Sequence, residues 1–134
     1  MNQIHIQIIM PTAVKLDDMV ESVFLPGIEG DFEVMYNHTQ VITRLRPGAI
    51  IVHKGGKQEF FAMHDAFVTV EDNKILILSE CCENKSEIDI ARAKAAKDRA
   101  EKRMQSISTD PNVDYNRAHA ALVRSLARLN TCKG

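Results

Sequence analysis

Ile4, Ile6 and Ile8 alternate with Gln3, His5 and Gln7, the period of two that sends one set of side chains into a core and the other into water. Short apolar bursts follow at 20–25, 31–35, 41–45, 49–53, 59–63, 66–70 and 74–78. Between them lie Pro26-Gly27, Glu29-Gly30, Arg46-Pro47-Gly48, Lys54-Gly55-Gly56-Lys57, His64-Asp65 and Glu71-Asp72-Asn73, all turn formers. Many short strands broken at such intervals predict an antiparallel sandwich or barrel.

Near Ser79 the period changes to that of a helix. Ser86 is a good N-cap, with Asp89 at the position where a capping box returns its side chain. Ala93, Ala96, Ala100, Met104 and Ile107 then recur at spacings of three and four. The stripe is almost all alanine, so the helix buries little and has to dock on something equally slim. Ser108-Thr109-Asp110-Pro111-Asn112 breaks it, because proline cannot continue a helix. A second helix starts at about Asp114, with Tyr115, Ala118, Leu122, Ser125 and Leu129 as its stripe. The pattern predicts an α+β chain: an N-terminal antiparallel β-sandwich over 1–84, then a C-terminal antiparallel αα-hairpin over 85–134. The thin hairpin interface predicts an element of marginal stability, able to move.

Composition narrows the function. With 134 residues, 45% hydrophobic and 26% charged, the chain has the make-up of an ordinary globular protein with one modest core. No apolar run reaches the ~18 residues of a membrane span, and the start lacks a secretory signal, so a cytosolic location is expected. Cys81, Cys82 and Cys132 form no disulfide framework or zinc spacing; the adjacent pair reads as small buried or half-buried thiols at a strand end. Residues 1–85 carry 7 Lys and Arg against 12 Asp and Glu, whereas 86–134 carry 10 against 6. The basic tail is too weak to argue for nucleic acid.

On the hairpin, Lys94–Asp98, Lys97–Glu101 and Asp98–Lys102 form i,i+4 pairs, but other arginines lack that support. Arg99 has no acid three or four residues away, and Arg124 and Arg128 have none in their helix after Asp114. In a closed hairpin Arg92 and Arg99 can face Arg124 and Arg128. Spacing leaves three readings open: solvated stems covering apolar surface, a phosphate site, or contact with an acidic partner. No Walker-type loop is present, so a nucleotide here would be bound and not hydrolysed. His38, His53, His64 and Asp31 are scattered, without a nucleophile elbow or metal-ligand spacing, so neither catalytic nor metal residues are assigned. His5, on the polar face of its strand, reads as solvated.

Four stretches resemble one family. Gly30-Asp31-Phe32-Glu33-Val34-Met35-Tyr36-Asn37-His38 is similar to its Gly-acid…Pro-Gly-His turn, and Leu45-Arg46-Pro47-Gly48 to the Pro-Gly that follows. Ile88-Asp89-Ile90-Ala91-Arg92-Ala93 matches its Ile/Leu-Asp-x-x-Arg-Ala motif, and the stretch from Arg117-Ala118 to Leu129 is similar to its second hairpin helix. In order and in length the chain resembles the epsilon subunit of bacterial F-type ATP synthase. Tyr36-Asn37 replaces the turn's Pro-Gly, Gln40 a later proline, and Asp65-Ala66 a Gly-Gly pair.

The resemblance implies a non-catalytic rotor subunit, peripheral on the cytoplasmic face of the bacterial plasma membrane and touching the membrane only through its complex. It implies a sandwich seated on the gamma subunit and the c-ring, with Gly30, Asp31 and His38 on the ring side. The hairpin would lie folded on the sandwich, or extend into the alpha/beta catalytic head and brake ATP hydrolysis. Some bacterial members bind ATP in the folded hairpin as a regulatory ligand, no other cofactor being required. By position that site would comprise Glu83, Asp89, Arg92, Ala93, Arg99, Arg124 and Arg128. A free-standing nucleotide-sensing module and a purely structural coupler are the rival expectations.

Overall fold

A computed structural model describes residues 2–106, 111–112 and 114–133. Among them run β1 (Ile4–Met10), β2 (Ala13–Val20), β3 (Ser22–Gly27), β4 (Gly30–Met35) and β5 (Val41–Leu45). Next come β6 (Gly48–Lys54), β7 (Lys57–Glu71), β8 (Lys74–Asn84), and two helices, α1 (Ile90–Gln105) and α2 (Tyr115–Lys133). This is the expected α+β order, a β-sandwich followed by a helical hairpin.

β7 and β8 pair antiparallel from Phe61 and Asn84 to Glu71 and Lys74. β6 joins the first half of β7 and β5 the second. The changeover falls at Asp65, whose φ of 53° is left-handed. The break predicted at His64-Asp65 is therefore a kink inside a 15-residue strand, because pairing with β8 continues past it. Both layers share this ladder, and between them lie Ile4, Ile6, Ile8, Leu25, Val34, Ile50, Phe61, Met63, Val68 and Ile77, nearly all fully buried.

Several boundaries differ from the reading of the sequence. β2 was not expected, since Lys-Leu-Asp-Asp hides its alternation behind a bulge. Ile8 pairs with Leu16 and Ile9 with Val14, which leaves Lys15 as the extra residue. β1 runs parallel to β8, from His5 beside Lys74 to Ile9 beside Leu78, so the sandwich is not antiparallel throughout. Pro26-Gly27 ends β3, and the turn is Ile28-Glu29. A Cβ on Gly27 would stand 2.5 Å from the Gly30 carbonyl oxygen, so only glycine fits. Asp72 and Asn73, with φ of 49° and 59°, make the tight turn between β7 and β8.

The largest correction concerns the start of the first helix. β8 persists to Asn84, past the predicted change of period. Asn84 Oδ1 accepts from the Ser86 N–H (2.9 Å) while Glu87 Oε1 accepts from the Asn84 N–H (3.0 Å), closing a capping box around the 3-10 turn Lys85–Glu87. Ser86 therefore caps nothing. The N-cap of α1 is Asp89, whose Oδ1 accepts from the Arg92 N–H at 3.0 Å. Asp114 caps α2 as expected, accepting from the Arg117 N–H at 3.2 Å. Residues 108–110 of the predicted break, and Ile107 of the first stripe, lie outside the described residues; Pro111 and Asn112 form a turn. Cys82 is buried and Cys81 half-buried near the end of β8, and both are free thiols.

Of the three expected i,i+4 pairs on α1, Lys97–Glu101 forms at 3.5 Å. Ala93 and Ala100 are buried, with Ala96 and Met104 half-buried, where α1 packs on α2. Ala118 and Ser125 answer them from α2. That helix has a second buried face: Ala127 and Thr131, roughly opposite Ser125 around the helix, are buried as α2 lies on β6 and β7. The buried hydroxyls donate one turn back, Ser125 to the Ala121 carbonyl (2.9 Å) and Thr131 to that of Ala127 (2.7 Å). They are hydrogen-bonded inside their own helix and need no partner across the seam. Asp89→Ala should destabilise α1 by about 1 kcal/mol, as loss of an N-cap does, while Ser86→Ala leaves it nearly unchanged; hydrogen exchange of the α1 amides checks the pair.

Candidate ligand cleft and partner face

Where the hairpin meets the end of β8, a cleft of about 330 Å³ opens, at the small end of the range for small-molecule sites. β8 contributes Glu83 and the 3-10 turn Glu87. Asp89, Arg92, Ala93, Ala96 and Arg99 come from α1, and Arg128 from α2. Six of the seven residues expected to bind nucleotide, Glu83, Asp89, Arg92, Ala93, Arg99 and Arg128, thus share one cavity. Arg124 does not line it. One turn before Arg128, it lies about 40° further round α2, towards the face on the sandwich.

The charges do not form the bare cluster of four guanidinium groups that helix spacing implied. Arg128 Nε is 2.6 Å from Glu83 Oε1, each side chain being 30% exposed. The sequence reading sought acids along the same helix, whereas this one comes from a strand 45 residues earlier. Glu87 is held by the Lys15 ammonium and the Asn84 N–H. Asp89 is engaged in capping α1. Arg92 and Arg99 have no ion pair among the described residues, and they stand seven apart, two turns along one face of α1. The cleft thus offers two uncommitted guanidinium groups, suited to a phosphate or carboxylate ligand. Burial pushes the Cys82 thiol up to about 12, so it is no nucleophile at neutral pH. Among the described residues no group of His, Cys, Asp and Glu is arranged to hold a metal.

The three residues expected on the ring side do not form one turn. Gly30 and Asp31 open β4, where Asp31 pairs with Arg46. His38 lies past the other end of the strand, its N–H donating to the Met35 carbonyl (3.1 Å), while the Asn37 N–H donates to Asn73 Oδ1 (2.7 Å). Asn37 has φ 65°, the left-handed conformation its place in the turn implied, and Asp65 shows the same at the Gly-Gly position.

One surface was missed altogether. On the outer face of the sheet, strand register aligns Arg44 with Phe67, Phe67 with Leu78, Leu78 with Ile9, and Ile9 with Val14. Phe67, Leu78 and Val14 are 50%, 49% and 60% exposed, and neighbouring Ile42 is 80% exposed, which makes an apolar row across five strands. Arg44 lies over the Phe67 ring, 5.2 Å from its centroid. A groove of about 470 Å³ runs beside the row. Phe67 and Leu78 stand at the polar phase of their strands, and that signal was legible in the sequence.

The Lys15 ammonium, and then the Asn84 N–H, hold the Glu87 carboxyl below its ordinary 4.5. A carboxyl with a lowered folded pKa contributes stability in full above its unfolded value and loses it as pH falls through the folded one. The linker should therefore loosen as pH drops below about 4.5, and Glu87→Gln should flatten that loss, read as hydrogen exchange across Asn84–Glu87.

The chain matches two family profiles end to end: "ATP synthase, Delta/Epsilon chain, beta-sandwich domain" over residues 3–85 and "ATP synthase, Delta/Epsilon chain, long alpha-helix domain" over residues 86–133. It is 39% identical to an ATP synthase epsilon chain of Nitratidesulfovibrio vulgaris, covering 94% of this chain and 92% of that one. To the ATP synthase epsilon chain of Desulfitobacterium hafniense it is 36% identical, with 96% and 95% covered. Its fold superposes on a chain of the Euglena gracilis mitochondrial ATP synthase at a TM-score of 0.74 and 21% identity, covering 99% of this chain and 79% of that one. With both profiles matched and such identity over nearly its full length, the chain belongs to the ATP synthase delta/epsilon chain family.

Proposed function

We propose that this chain is the non-catalytic epsilon subunit in the rotor of a proton-translocating F-type ATP synthase, joining gamma to the c-ring and restraining ATP hydrolysis through its hairpin. The observation that carries the reading is how the hairpin is attached. α2 rests on the sandwich at Ala127 and Thr131, and α1 rests on α2 at Ala93 and Ala100. Faces so small contribute a few kcal/mol at most, on the order of 0.8 kcal/mol per buried methylene. An arm held so lightly can leave the sandwich for the alpha/beta head when a partner offers more contact, which is a population shift between two packings.

The apolar row from Val14 to Phe67 suits a firm, lasting contact such as gamma would make, since apolar rows of this kind are rare on free-standing proteins. Gly30 with Asp31, and His38, are separated by the length of β4, roughly 20 Å. The c-ring contact proposed for them therefore spans two ends of the sandwich. The membrane contact is indirect, at the cytoplasmic face; among the described residues no helix is long and apolar enough to cross a bilayer.

In the closed hairpin, ATP is a regulatory ligand of the seam cleft. Arg92 and Arg99 receive its phosphates, Asp89 holds the start of α1 in place, and Ala93 leaves room for the ligand. The carboxylates that line the cleft are each engaged, Glu83 by Arg128, Glu87 by Lys15 and Asp89 by the start of α1, so the nucleotide is bound unchanged. One observation favours a second reading, a structural coupler whose hairpin stays down: Glu83 and Arg128 already tie α2 to the sandwich without a ligand.

Calorimetric titration of the isolated chain with ATP should give saturable heat, and Arg92→Ala and Arg99→Ala should each weaken binding about tenfold, the scale of one charge-assisted hydrogen bond. Absence of heat at millimolar ATP removes the nucleotide reading. Deleting residues 88–134 should raise ATP hydrolysis by the assembled enzyme. Unchanged hydrolysis selects the coupler.

A further inference from the structure

Up to Glu87 the linker's polar ties run to the sandwich, although its 3-10 turn also touches α2, and from Asp89 on they run to the hairpin. Asn84 Nδ2 donates to Glu59 Oε1 at 2.7 Å, and the Lys85 ammonium lies 5.1 Å from the Phe60 ring centroid. Glu87 is held by Lys15, whose side chain is set by the bulge in β2. The Ile88 N–H donates back to the Lys85 carbonyl at 3.2 Å, so the 3-10 turn ends as part of the strand domain. Asp89 is committed the other way, because its carboxylate caps α1. Between the two, Ile88 and Asp89 are extended, with ψ of 123° and φ of −84°.

Across the seam the attachment is just as localised. α1 packs chiefly on α2, and α2 on β6 and β7. The ion pair of Arg128 with Glu83 is the one salt bridge that joins α1 or α2 to a strand among the described residues. It is only part-exposed, and Arg128 Nε lies at hydrogen-bonding distance from the carboxylate.

We infer that the hairpin pivots at the Ile88–Asp89 link and is latched shut, with no ligand present, by the Glu83 carboxylate acting as built-in counter-ion to Arg128. The inference rests on the proposed opening of the hairpin and adds its hinge and its catch. Closure then does not wait for a nucleotide. An anion arriving at Arg92 and Arg99 adds to a catch that is already engaged, and its absence alone does not release the arm.

The test is hydrogen exchange of the full chain without nucleotide. Glu83→Gln and Arg128→Gln should each speed exchange of the α2 amides about tenfold, the scale of a part-buried charge pair. The double variant should go no faster than either single one, because both remove the same pair. Asn84–Glu87 and β1–β8 should exchange as in the parent chain. Unchanged exchange of α2 overturns the latch, as do additive effects of the two substitutions. Acceleration that extends equally through Asn84–Glu87 overturns the hinge. ATP is absent from every arm, so failure here leaves the nucleotide reading standing, and failure of the ATP titration leaves the latch standing.

Discussion

The antiparallel ladder between β7 and β8 positions every other element. It is long enough for β5 and β6 to share one edge of β7 end to end, with Asp65 turning the strand from one layer to the other. The opposite edge of β8 receives β1 and through it β2. The same ladder carries β8 out to Asn84, and so decides where the linker leaves and on which strands α2 can rest. A left-handed aspartate inside a strand costs on the order of 1–2 kcal/mol, and the pairing on its β8 side sustains it.

Two kinds of cohesion meet at the linker. The sandwich is held by a continuous apolar core of isoleucine, valine, leucine and phenylalanine, with alternate residues fully buried. The hairpin is held by buried alanines, the half-buried Met104, Leu122 and Leu129, and a charge pair. Contacts of the first kind are many and short-ranged, so they let go only together. Those of the second kind are few, and the ionic one depends on ionic strength. One chain therefore contains a part held as a block and a part held lightly, joined by a linker whose described residues are regular.

Much of this was legible in the residues. The Ile4, Ile6, Ile8 alternation, the Gly-Gly and Asp-Asn turns, the alanine stripe and the Asp114 cap each rest on neighbours a few positions apart, the range over which periodicity and capping act. What escaped was non-local. Glu83 and Arg128 meet only because α2 returns over the end of β8. Lys15 reaches Glu87 only because a bulge turns it, and the parallel pairing of β1 with β8 joins segments 69 positions apart. The start of α1 failed for another reason: three capping candidates stand within six residues. Asn84 with Glu87 took the box, leaving Asp89 to the helix and Ser86 as a donor to Asn84 rather than a cap. The family turn, by contrast, tolerated its substitutions, since asparagine at 37 adopts the left-handed conformation that glycine would have taken.

The bulge in β2 makes the anchorage of the linker a matter of chain length as well as of residue type. Because two residues of β2 oppose one step of β1 at that point, Lys15 leaves the alternation of its strand and reaches the 3-10 turn. Losing a single residue there would restore a regular ladder, yet it would carry the ammonium away from Glu87 while every other side chain kept its identity. An alignment that scores only substitutions would see no change in either partner. One anchor of the linker on the strand domain would nevertheless have been lost with one missing peptide unit.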